Sequence, residues 1–103
     1  MDRKPPAGND PVSNVPMLLD VAEMRRVLGS NLRDTREAAC LSQRELGEIC
    51  IIPRTTVGRV ERGEQEVKLS TLALFSLAMR VPLTASLLAG VDEWLLDLLP
   101  PAP

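Results

Sequence analysis

The chain contains no histidine and no tyrosine, and only one tryptophan and one phenylalanine among its 103 residues. Without an imidazole the usual general base near neutral pH is missing, and neither Cys40 nor Cys50 has the partner that would activate a thiol nucleophile. A glycine-rich phosphate loop and a cluster of metal-ligating residues are absent as well. The inventory therefore predicts a protein that is not an enzyme and that carries no cofactor and no metal. The two cysteines, with nine residues between them, fit neither a redox pair nor a zinc spacing, and they read as reduced thiols that fill small apolar sites. A secretory signal and an apolar run of membrane-spanning length are also lacking, so a cytoplasmic location and no membrane partner are expected.

The shortage of aromatic residues leaves Leu, Val, Ile, Ala and Met to fill the interior, a composition that suits packed helices better than a sheet. The net charge of −2 argues against nucleic acid if taken alone, but it is unevenly distributed. Between Arg25 and Lys68 nine basic residues face seven acidic ones, while the segments on either side each sum to −2. Residues 1–16 hold four Pro with few apolar positions, the composition of a disordered leader, and residues 100–103 form a similar tail.

Asp20 and Glu23 have the spacing of a capping box, and Val21, Met24, Leu28 and Leu32 then recur at helical intervals, predicting a helix to about Ala39. Gly29 weakens its middle, so two helices meeting there are an alternative. Ser42 and Glu45 form a second capping box, opening a helix that ends by Cys50 or Ile51. Pro53 suits the start of the next helix, which runs to Glu61 and closes at Gly63. Leu69, Leu72, Phe75 and Met79 stripe a helix over about 68–80; Thr84 is placed to cap a turn bearing Leu87 and Leu88; Val91 to Leu99 make a last helix. The expected fold is all-α, a compact bundle of five to six short helices: a domain over 17–90 with its motif at 42–62, then an apolar helix over 91–99.

The segments LRDTRE, LSQRELGE, PRTTVGRVERGE and LSTLALFSLAMRVPL, in that order between Leu28 and Leu88, resemble the Xre family of phage-repressor-like helix-turn-helix domains. The resemblance implies a recognition helix in the major groove of double-stranded DNA, with Arg54, Thr55 and Arg59 facing base edges. Arginine can donate two parallel hydrogen bonds to guanine, and threonine offers a hydroxyl and a methyl to thymine. Ser42, Gln43, Thr56, Arg62 and Lys68 are the expected phosphate contacts, with Gln43 also bracing Arg54 and Ser42 also capping its helix. Arg36 and Glu61 occupy the family positions of a structural ion pair. Two departures stand out. The turn position usually held by glycine is Ile51, whose branched side chain resists positive φ, and Gly58 lies inside the recognition helix, to admit DNA backbone or merely to loosen the helix.

One such motif reads only a few base pairs, so a homodimer on paired half-sites is expected. Trp94, Leu95 and Leu98 of the last helix are the candidate dimer residues, with packing onto the core as their alternative use. The N-terminal stripe Leu18, Val21 and Met24 is a second candidate surface. The function expected is that of a sequence-specific transcriptional regulator acting as a repressor. An antitoxin partnered by a toxin, and a protein-interaction adaptor that has lost DNA binding, are the alternatives.

Overall fold

In the computed structural model, residues 20–99 are described; the expected leader and tail, and Leu18, lie outside them. Among the described residues five α-helices and one π-helical turn follow in order: α1 Val21–Ala38, α2 Gln43–Cys50, α3 Arg54–Glu61, α4 Leu69–Met79, the π-helical turn Leu83–Leu87 and α5 Val91–Asp97. No strand occurs among the described residues, and the architecture is the all-α bundle expected.

α1 begins where Asp20 accepts a hydrogen bond from the Glu23 amide at 3.1 Å. The expected capping box is only half formed, because the Glu23 carboxylate accepts from Arg26 Nε at 3.0 Å instead. The helix runs unbroken through Gly29, so the two-helix alternative falls. A Cβ built on Gly29 would lie 2.3 Å from the Val60 carbonyl oxygen and 2.6 Å from that of Glu61. Its missing side chain is what lets α1 cross the end of α3 backbone to backbone.

Four helices close in the same way, by a residue in the left-handed region with a hydrogen bond reaching back across the last turn. Cys40 (φ 59°) follows α1, Ile51 (φ 57°) follows α2, Gly63 (φ 73°) follows α3 and Arg80 (φ 57°) follows α4. The long-reaching bonds are Leu41 N–H to Arg36 O at 3.1 Å, Ile52 to Gly47 at 2.8 Å, Glu64 to Arg59 at 2.9 Å and Val81 to Ser76 at 3.0 Å. This closure satisfies carbonyls that a helix end would otherwise leave unpaired, and glycine is the residue that adopts it without strain. Only Gly63 among the four has that freedom. Cys40, expected in the interior, is exposed at one of these closures, and Cys50 is half-buried.

Leu32, Leu46, Val57, Val60, Leu72, Phe75, Met79 and Leu87 make one core. Leu69 is not on its inward stripe as expected but is 70% exposed, one turn ahead of the buried positions. The turn after α4 is set by Pro82 rather than by a Thr84 cap, since no side-chain cap bond is made there. Asn31 fastens this region to α1 by donating from Nδ2 to the carbonyls of Leu87 at 3.0 Å and Ala89 at 2.8 Å.

Candidate nucleic-acid interface

The interface is built from α2, α3 and the turn between them. Ser42 caps α2 by accepting from the Glu45 amide at 3.0 Å, while the Glu45 carboxylate accepts from the Ser42 amide at 2.8 Å. That second bond, with help from the Ser42 hydroxyl, holds the Glu45 carboxyl below its ordinary value. The box occupies the amides of Ser42 and Glu45, which leaves those of Gln43 and Arg44 as the unpaired donors of the helix start. Such a terminus favours an anion, through both its N–H groups and its dipole.

Ile51 takes the left-handed conformation that its branched side chain disfavours, so the turn keeps the course a glycine would give it. A Cβ on Gly47 would lie 2.4 Å from the Ile52 carbonyl oxygen, and this close approach of α2 to the turn aims α3. Leu46 and Val57 are fully buried between the two helices. Arg54, Thr55 and Arg59 are exposed on the outer side of α3 and make no side-chain hydrogen bond or ion pair among the described residues. Their donors face solvent uncommitted.

The inner side of α3 carries the ion pair. Arg36 donates from Nε to Glu61 Oε2 at 2.6 Å, from Nη2 to Glu61 Oε1 at 3.1 Å and from Nη1 to the Leu41 carbonyl at 2.8 Å. The Arg36 side chain is 10% exposed and that of Glu61 2%. The Glu61 hydrogen bonds raise the Arg36 pKa further above its already high ordinary value. A buried pair of this kind is strongly coupled to folding: removing one partner strands the other's charge, at a cost of about 3–5 kcal/mol.

Gln43 is placed differently from expectation. Its Nε2 donates to Glu61 Oε1 at 2.9 Å rather than bracing Arg54. Arg62 donates from Nε and Nη2 to the Glu64 carboxylate at 3.0 and 3.2 Å, which pulls the Glu64 carboxyl down and the Arg62 guanidinium up. Gln43 and Arg62 come together with Arg33, Arg36, Glu37 and Glu61 around one polar depression of about 310 Å³. Lys68 and the half-buried Thr56 lie apart, flanking a separate groove with Ile52, Thr71 and Val67. Sequence reading missed Glu64 as the partner of Arg62, for which a carboxylate two residues downstream was the available signal.

Trp94 and Leu98 are half-buried, whereas Leu95, Leu96 and Leu99 are 38%, 64% and 59% exposed. α5 therefore uses part of its expected dimer surface against its own fold, near α1. Among the described residues no group of His, Cys, Asp and Glu is arranged to hold a metal, and no helix is long and apolar enough to cross a membrane.

Two short helices joined by a tight turn, the second with an outward face of uncommitted arginines, define a sequence-specific DNA-binding transcriptional regulator. The family model described as Helix-turn-helix matches residues 32–85, and the chain belongs to that family, in its phage-repressor-like Xre form. It is 40% identical over 57 residues to the control protein C.SmaI of Serratia marcescens, a match covering 55% of this chain and 68% of that protein. Among solved structures it is similar to the clp gene regulator ClgR of Corynebacterium glutamicum, with a TM-score of 0.64 at 27% identity over 72% of this chain and 79% of that one. The restriction-modification controller protein C.AhdI of Aeromonas hydrophila gives a TM-score of 0.57 at 31% identity, covering 59% of this chain and 92% of that one.

Proposed function

We propose that the chain represses transcription in the cytoplasm by binding operator DNA as a homodimer, each copy laying α3 into the major groove of one half-site. Arg54, Thr55 and Arg59 read bases, while Ser42, Gln43, Thr56, Arg62 and Lys68 hold phosphates. The observation that carries this reading is the contrast in how the arginines are engaged. Arg26, Arg33, Arg44 and Arg62 are each paired with a nearby carboxylate, whereas among the described residues Arg54 and Arg59 stand unpaired together on the outer side of α3; Arg25 in α1 and Arg80 after α4 also make no ion pair but lie on other elements. Uncommitted guanidinium groups at that place match the donor geometry that guanine O6 and N7 accept.

The similarity to a restriction-modification controller and to a gene regulator supports a role at promoters. A repressor needs nothing beyond occupancy of the operator, which a chain of this size can supply. These similarities lend no support to a toxin partner.

The test is binding of the wild type and of Arg54→Ala and Arg59→Ala variants to DNA from around the chain's own gene, over a salt series. Each substitution is expected to weaken specific binding by about 1–3 kcal/mol and to relax preference at one base position. Unchanged discrimination between specific and nonspecific DNA in both variants would remove these residues from the reading role.

A further inference from the structure

Gly58 sits in the middle of the recognition helix, where glycine is the least favourable residue after proline. Arg54, Gly58 and Arg62 lie four residues apart and so fall on one outward stripe of α3. Gly58 is nevertheless buried, because side chains from two different elements close over it. A Cβ built there would lie 3.1 Å from Arg62 Nη1, 3.4 Å from Gln43 Oε1 and 3.7 Å from Gln43 Nε2. No backbone atom stands among these nearest neighbours, in contrast to Gly29 and Gly47. The space that Gly58 leaves open is therefore occupied by the ends of two side chains and is not needed for a helix crossing.

Each of those ends is steered from behind. Glu61 accepts from Gln43 Nε2, and Glu64 takes the Nε and Nη2 side of the Arg62 guanidinium. The Nη1 end of Arg62 is left beside Gly58, next to the same space that the Gln43 amide borders. Both groups border the polar depression beside the unpaired amides at the start of α2. The Gln43 amide, whose Nε2 is shared with Glu61, the Arg62 guanidinium end and the start of α2 border one depression together with the Glu37 and Glu61 carboxylates, and the N–H groups among them are donors that a phosphodiester oxygen accepts.

We propose that Gly58 is a positioning residue for backbone recognition: its missing side chain seats Gln43 and Arg62 next to each other so that the two grip a single DNA phosphate. This rests on the reading that α2 and α3 form the DNA-binding surface, and it adds a residue that touches neither base nor phosphate. The helix retains a residue that weakens it because any larger one displaces the two side chains by a few tenths of an ångström. That displacement is small for folding and large for a shared hydrogen-bonding geometry.

The experiment compares wild type and Gly58→Ala by thermal unfolding and by DNA binding over a salt series, with Gln43→Ala and Gly58→Ala plus Gln43→Ala as companions. Gly58→Ala is expected to unfold about 4–8 °C higher, because alanine is the better helix former and only flexible side-chain ends must move. Its affinity for the same DNA is expected to fall about threefold to tenfold, and the slope of log K against log salt to flatten by about 0.9, the loss of one phosphate contact. Base preference stays unchanged, and in the Gln43→Ala background Gly58→Ala has little further effect on binding. Equal affinity and slope with higher stability would overturn the proposal, leaving Gly58 as a residue that merely loosens its helix. Lower stability would overturn it too, since something less yielding than two side-chain ends would then fill the space. A wild type that binds no DNA at low salt would overturn the DNA-binding reading itself, an outcome distinct from either of these.

Discussion

Ile51 shows how a single residue can be held in a conformation its own chemistry opposes. It is 92% exposed, so it gains almost nothing from burial, and it stands at φ 57°, where a branched side chain crowds its own backbone. The surroundings impose this: the Ile52 amide must reach the Gly47 carbonyl to close α2, and Gly47 must stay bare beneath the Ile52 carbonyl. Replacing Ile51 with glycine removes the left-handed strain, worth about 1–2 kcal/mol, and adds unfolded-state freedom worth roughly 0.5–1 kcal/mol in the opposite direction. Ile51→Gly is therefore expected to stabilise the protein by up to ~1.5 kcal/mol, read as a higher urea midpoint at unchanged m-value. A lower midpoint would mean that the Ile51 side chain has a contact in solution that outweighs its strain. The identity of this position was legible in the sequence as a departure from the family's glycine, but its outcome was not. A propensity states what a residue prefers, whereas the closure of the preceding helix decides which preference is overruled.

At the level of elements, what could be read from sequence were the features encoded by neighbours in the chain. The Ser42–Glu45 box, the helix start after Pro53 and the Gly63 closure all lie within a few residues of the structure they specify. The features that escaped were those made by distant segments meeting. Gly29 reads locally as a weak point, yet its role is set by Val60 and Glu61, some thirty residues away. Leu69 fits the apolar spacing of α4 and is still exposed, because α4 is apolar on more than one side and spacing alone could not select the face. Gln43 turned to Glu61 instead of Arg54 because a buried carboxylate already held by Arg36 offers a stronger acceptor than anything near α3's start. Gly58 and Gly29 consequently predict opposite results for the same substitution. Gly58→Ala is expected to stabilise, but Gly29→Ala would drive a methyl against two backbone carbonyls at 2.3 and 2.6 Å, and the helices cannot yield as side chains do. Overpacking of this sort costs about 1–3 kcal/mol or more, which exceeds the gain of roughly 1 kcal/mol in helix propensity. Gly29→Ala should thus melt below wild type; an equal or higher Tm would show that α1 can slide over α3 without loss.

For the whole molecule the proposed operator reading calls for a second copy, because one eight-residue recognition helix spans only part of an operator. The acidic flanks bear on how that copy is used. They weaken nonspecific attraction to DNA, so the proposed operator binding relies on specific contacts more than on charge. The outward apolar side chains of α5, which ends at Asp97 rather than running to Leu99 as expected, and of the residues just after it are the surface we assign to this pairing. Leu95, Leu96 and Leu99 lie within one turn of each other and remain exposed after Trp94 and Leu98 have turned inward. Acidic Asp92 and Glu93 sit at the start of the helix, where they favour its dipole and rim the apolar patch. A Leu96→Glu plus Leu99→Glu variant places charges at the centre of such an interface while disturbing little of the monomer core. It is expected to sediment as a monomer at concentrations where wild type is a dimer, and to bind an isolated half-site as wild type does. On the full operator its affinity should drop by at least tenfold, about 1.4 kcal/mol, because the two recognition helices are no longer linked. A variant that stays dimeric would move the pairing surface away from α5, to the exposed Leu74 and Leu77 of α4 or the Val21 end of α1.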